Sequence, residues 1–185
     1  MPDALDLKIA ELERRLLTKR DQIGRGVGVP FLLLLHAPAE ELRVRREAQA
    51  LIVRLRAQGL TVDRIDGHQV LIEHLESQGE LERAIRAERR APERLRELGL
   101  GEGLADAVVE RVATAARQLG DTDVIILTRL GALYPFLLPT VLQERLAGRR
   151  LGIPIIFLVP ADEDQSGDYL FLGVERARRY RGTYL

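Results

Sequence analysis

The chain has 185 residues, 46% of them hydrophobic and 30% charged, with 28 basic and 28 acidic side chains and no cysteine. That length suits one domain with a sizeable core, and the balanced charge provides no global attraction to nucleic acid or to an anionic membrane. The missing cysteine excludes disulfides, thiolate zinc sites, iron–sulfur clusters and thiol nucleophiles.

The first predicted element is an amphipathic helix over residues 3–20, with Leu5, Ile9, Leu12 and Leu16 along one stripe. Gly24, Gly26, Gly28 and Pro30 then break the helix. Residues 31–35 form a continuous apolar run between Pro30 and Pro38, the pattern of a strand buried on both faces of a parallel sheet. A helix follows over residues 40–58, with Val44, Ala48, Leu51, Ile52 and Leu55 inward and Gly59 as its stop. A short strand at residues 60–65 leads to Asp66, which can cap a helix carrying Val70, Leu71 and Leu75 and ending near Gly79.

Residues 80–98 interleave six arginines with acids and are broken once by Pro92, which predicts two short solvated helices. After Gly99, Gly101 and Gly103, a better amphipathic helix carries Leu104, Val108, Val112, Ala115 and Leu119. Residues 123–128 and 153–159 read as further central strands, joined by a crossover helix at residues 136–146, with right-handed connections throughout. Residues 169–172 read as a last strand at an edge, and the basic and aromatic tail over residues 174–185 has no clear local preference. The expected architecture is a single three-layer, Rossmann-like α/β domain over residues 1–185, with a largely parallel sheet and an N-terminal helix. The apolar runs fall far short of the ~20 residues that span a membrane, and no secretory pattern opens the chain. The expected compartment is the cytoplasm.

In such sheets ligands bind outside the carboxyl ends of the strands. The segment His36-Ala37-Pro38-Ala39-Glu40-Glu41 after the first strand lacks the glycines and the Lys-Ser/Thr pair that wrap phosphate. The glycines at 24–28 precede a strand instead of opening a helix. His68 and His74 lie six residues apart, off the i,i+3 or i,i+4 spacing of helical metal pairs. Asp162, Glu163 and Asp164 follow a central strand at the correct edge for a metal-dependent or nucleotide-handling enzyme, with His36 nearby, yet they also make an ordinary polar turn with Gln165, Ser166 and Gly167. Arg176, Arg178, Arg179 and Arg181 beside Tyr180 and Tyr184 could bind single-stranded nucleic acid. Zero net charge and few aromatics favour protein contacts there, since Arg and Tyr are also enriched at interface hot spots.

The run from Asp123 to Leu137, a strand followed by Gly131-Ala132-Leu133-Tyr134-Pro135-Phe136, resembles the signature of the BrxB family of BREX bacteriophage-defence systems. Val29-Pro30-Phe31, the strand Pro154 to Pro160, Leu170-Phe171-Leu172 and the closing Tyr180-Arg181-Gly182-Thr183-Tyr184-Leu185 fall in family order. His36-Ala37 and Ala161 depart from the residues common there. The resemblance implies a non-enzymatic subunit without cofactor or metal. It would act beside an AAA+ ATPase, a DNA methyltransferase and the phosphatase-like PglZ in a system that methylates host DNA and blocks phage replication. PglZ is the first expected partner, and any contact with DNA would be indirect. The candidate partner-binding residues are Tyr134, Arg176, Arg178, Arg179, Tyr180, Arg181 and Tyr184.

Overall fold

Alternation of side chains along the central strands sorts the apolar residues into two layers. The computed structural model describes residues 3–120, 123–163 and 167–185, apart from the side chain of Asp21. Strand β1 (Phe31–His36) is buried at all six positions. Phe31, Leu33 and Leu35 face one layer while Leu32 and Leu34 face the other. In β3 (Val124–Thr128) and β4 (Ile155–Glu163), Ile125, Leu127, Ile155 and Phe157 share the first layer, and Val124, Ile126, Ile156 and Leu158 the second. A period of two with both faces apolar is what a central strand of a parallel sheet requires.

The second layer is completed by α1 (Ala4–Thr18) and α2 (Glu41–Ala57). Helix α1 begins in a capping box, in which the Asp6 N–H donates to Asp3 Oδ1 at 3.0 Å and the Asp3 N–H donates to Asp6 Oδ2 at 3.2 Å. Its buried residues are Leu5, Ile9, Leu12 and Leu16, the stripe expected from spacing. The first layer is covered by α3 (Gly67–Ser77), α5 (Gly101–Gln118) and α6 (Pro139–Gly148), with Ala84 of α4 (Leu81–Arg90) at its margin. Asp66 caps α3 as expected, accepting from the Gln69 N–H at 3.2 Å. The charged insert is α4 followed by a 3₁₀ turn at Pro92–Leu98.

The main sheet has the order β2-β3-β4-β1-β7, all parallel, where β2 is Val62–Asp66 and β7 is Thr183–Tyr184. From β1 the chain crosses by α2 to the β2 edge, then returns through β3 and β4. A reversal of direction sends right-handed crossovers to opposite faces, which is why α2 and α6 lie in different layers. The result is a three-layer Rossmann-like fold with its switch point beside β1 and β4.

Three parts of the chain differ from expectation. Strand β4 continues past the sheet to Glu163, where Ala161, Asp162 and Glu163 pair antiparallel with β5 (Tyr169–Phe171). The tail is also ordered: β6 (Glu175–Ala177) pairs with β5, and β7 adds to the free side of β1. The crossover helix starts at Pro139, the favoured position for proline at a helix start. It therefore begins later than residue 136, and residues 134–138 become a loop.

Tyr169 is fully buried, and its hydroxyl has no hydrogen-bond partner among the described residues. Burial pushes its phenol well above the ordinary value. Tyr169→Phe removes a desolvated, unpaired hydroxyl and is expected to raise stability by about 1 kcal/mol in chemical denaturation.

Candidate interaction site

The Tyr134-Pro135-Phe136 segment sits where three elements converge. After β3, Arg129 adopts a left-handed conformation and Leu130–Leu133 form a 3₁₀ turn, so the chain bends back over the sheet edge. The Tyr134-Pro135 peptide bond is cis. The half-buried Tyr134 ring meets Phe171 edge-on, with centroids 6.2 Å apart. The Arg96 guanidinium lies 5.2 Å from the same ring's centroid, and its Nη2 donates to Tyr134 Oη at 3.1 Å. Arg96 also pairs with Glu175 of β6. Tyr134 therefore ties the charged insert to the β5–β6 hairpin.

Pro135, Phe136, Leu138 and Val141 line an open groove of about 400 Å³, with Arg96 and Arg145 on its rim. Its wall is fixed by close backbone approach: a Cβ on Gly101 would stand 2.5 Å from the Phe136 carbonyl oxygen. Gly101→Val is expected to cost about 1–3 kcal/mol through this clash, read as a lower denaturation midpoint.

The C-terminal residues reach the opposite end of β5. Tyr184 lies 6.4 Å from Tyr169 between centroids, its hydroxyl accepts from the Tyr180 N–H at 2.9 Å, and the Arg179 guanidinium stands 4.7 Å from its ring centre. Burial raises the Tyr184 phenol. Arg179 also meets Glu163 at 3.3 Å. Arg176 is exposed and lies 3.9 Å from Asp168, whereas Arg178 and Arg181 project from the β6–β7 link. The expected interface residues thus divide into two groups. Tyr134, Arg179, Tyr180 and Tyr184 are engaged within the fold, with β5 bridging Tyr134 to Tyr184, and Arg176, Arg178 and Arg181 are presented outward. Arg96, which holds Tyr134, and Glu175, which holds Arg96, lie 38 and 41 residues from Tyr134 in sequence, beyond the reach of any local pattern.

The crevice at the carboxyl ends of β1 and β4 brings His36 and Asp162 together, as their strand-tip positions imply. It has a volume of about 270 Å³ and is lined by Lys8, His36, Glu40, Asp162 and Glu163 among others. Asp164 and Ser166 lie outside the described residues. Lys8, from α1, donates to the Leu35 carbonyl at 2.9 Å and closes one side. His36 is 3% exposed, with Nδ1 3.1 Å from the Ala37 carbonyl oxygen and Nε2 3.5 Å from Glu41 Oε2. Burial lowers its basicity below the ordinary histidine value, against the raising pull of the Ala37 carbonyl and of Glu41. No group of three or more potential metal ligands occurs among the described residues. His68 and His74 remain separate on α3, His74 packing its ring on Gly103.

A family model described as BREX protein BrxB matches residues 64–185. That span contains the Tyr134-Pro135-Phe136 loop, the β5–β6 hairpin and β7; Val29-Pro30-Phe31 lies before it, as do α1, β1 and α2. No curated protein and no solved structure matches the chain.

Proposed function

The chain belongs to the BrxB family, components of BREX phage defence, and from that premise we propose that it is a non-enzymatic adaptor acting through protein–protein contacts. The observation that supports this reading is how the family-matched part is built: the Tyr134 and Tyr184 rings brace the β5–β6 hairpin, which carries Arg176 outward and leads into the link that exposes Arg178 and Arg181. Exposed arginines grouped in this way suit a protein interface, where arginine is enriched among the residues that carry binding. The strand-tip crevice agrees with the reading, since Glu40, Asp162 and Glu163 repel the phosphates that such crevices usually hold.

The partners are other BREX proteins, PglZ first, with the AAA+ ATPase and the DNA methyltransferase next. The chain would serve host DNA methylation and phage restriction by keeping those enzymes together. Arg178→Glu with Arg181→Glu is expected to weaken the complex with PglZ by about tenfold or more, with unchanged thermal stability because both side chains are exposed. Equal binding by wild type and variant would rule out this face. Direct binding of single-stranded nucleic acid is the less favoured reading, because the Tyr184 ring is occupied by Arg179 and Tyr169 and cannot stack on bases. A gel-shift series that weakens steeply with salt would restore it.

A further inference from the structure

Two arginines line a cavity that holds no acid to balance them. At the amino end of β1, opposite the strand-tip crevice, a cavity of about 400 Å³ opens between the start of that strand and the end of α6. Its lining is mostly apolar, from Val29 and Phe31 at the start of the strand and Leu146 and Leu151 around the end of the helix, with Arg150 and Arg181 as its charged members. No acidic side chain lines it among the described residues. The neighbouring arginines are neutralised: Arg145 and Arg149 of α6 pair with Asp106 and Glu110, and Arg176 and Arg179 with Asp168 and Glu163. Arg150 and Arg181 have no acidic partner among the described residues.

Backbone geometry sets both arginines at this cavity. Arg150 adopts a left-handed conformation just after α6, with its N–H donating to the Ala147 carbonyl at 3.3 Å. Glycine makes such a turn without strain, so the turn itself gives no reason for an arginine. Arg181 precedes Gly182, where a Cβ would stand 2.5 Å from Leu33 Cδ1 and 3.4 Å from Phe31 Cβ. That close approach places the Arg181 backbone against the start of β1, while both arginine residues are exposed to solvent.

The combination selects an anion on an aliphatic stem. Two guanidinium groups without an internal acid attract a carboxylate through paired N–H donors, and the apolar lining would cover its methylenes and an apolar neighbour. Phosphate is matched less well, because it is usually cradled by free backbone N–H groups. Beside this cavity the Val27 and Gly28 N–H groups already donate to the Gly24 carbonyl, at 3.3 and 3.0 Å, and Pro30 has none. Arg181 is shared with the exposed arginines of the β6–β7 link, so the cavity adjoins the face assigned above to partner contact.

We propose that this cavity receives the carboxylate of an acidic segment of a partner protein, between Arg150 and Arg181, with an apolar residue of that segment packed on Phe31 and Leu146. The inference rests on the adaptor reading and names the chemistry of the segment that the adaptor holds. The test is an NMR titration of the labelled full-length chain with acetyl-Leu-Glu-Leu-Glu-Leu-amide, its Leu-Gln-Leu-Gln-Leu isostere and inorganic phosphate, following the arginine Nε–H groups. The expected result is a saturable shift at Arg150 and Arg181 with the acidic peptide and not with its isostere. Arg150→Gln should weaken it about tenfold, at an unchanged denaturation midpoint because that residue is exposed. No response at Arg150, an equal response to the neutral isostere, or tighter binding of phosphate than of the acidic peptide would overturn the proposal. The two readings fail separately. A PglZ complex formed by a chain that ignores the peptide would remove this site alone, and a chain that binds the peptide but captures no BREX protein would remove the adaptor reading alone.

Discussion

Phe171→Ala is expected to destabilise the protein by about 3–5 kcal/mol, the range for deleting a buried aromatic ring. Phe171 is fully buried in a strand of only three residues, so the ring, more than the backbone ladder, anchors the hairpin. Its loss would also release Tyr134 from the edge-on contact and free the Arg96–Glu175 bridge from its support. Chemical denaturation of the variant measures the cost. A loss below about 1 kcal/mol would mean that the hairpin is held elsewhere.

Asp123→Ala is expected to cost about 3 kcal/mol, because its carboxylate accepts two backbone N–H groups and hydrogen bonds to charged groups are the stronger kind. Gly120 donates at 2.7 Å and Thr61 at 3.0 Å, while the Thr61 carbonyl accepts from the Val124 N–H at 3.0 Å. One side chain thereby joins the starts of β2 and β3, and the Asp123 carbonyl also receives the Arg20 guanidinium. The Gly120 N–H foremost, then that of Thr61, holds the Asp123 carboxyl below its ordinary value. A depressed carboxyl stabilises the fold above its unfolded value of about 3.9. That contribution disappears as the pH falls through the lower folded value. The gap in stability between wild type and Asp123→Ala should therefore narrow in strong acid, and a gap independent of pH would contradict the assignment.

Strands β1, β3 and β4 were legible because each is an apolar run bounded by turn residues, and α1 and α2 because their stripes follow helical spacing. What escaped local reading depends on distant pairing. Glu175-Ala177 and Thr183-Tyr184 are too short to carry a pattern, and β7 exists because Leu32 and Leu33 of β1 offer it a free edge about 150 residues earlier in the chain. Likewise the apolar run of β4 ends at Val159, and Asp162 and Glu163 look like a polar loop until β5 is present to pair with them.

The candidate site shows the same division. Position at a strand tip was enough to single out His36 and Asp162, and the family signature to single out Tyr134. The roles of Lys8 and Arg96 became visible only through packing, as α1 folds over the tip of β1 and the charged insert over the Tyr134 loop. Tyr134 proved to be both a packed ring and part of the surface, which spacing alone does not separate. The tyrosines of the tail read as exposed contacts in sequence, yet Tyr184 is spent on bracing the hairpin.

If the protein acts as proposed, by holding other BREX proteins together, then mixing the purified chain with PglZ, the ATPase and the methyltransferase, each separately, should give a co-eluting complex of fixed stoichiometry with at least one of them in size-exclusion chromatography with light scattering. Arg178→Glu with Arg181→Glu should abolish that complex. Separate elution of every protein, together with metal- or nucleotide-dependent turnover abolished by Asp162→Ala, would contradict the proposal.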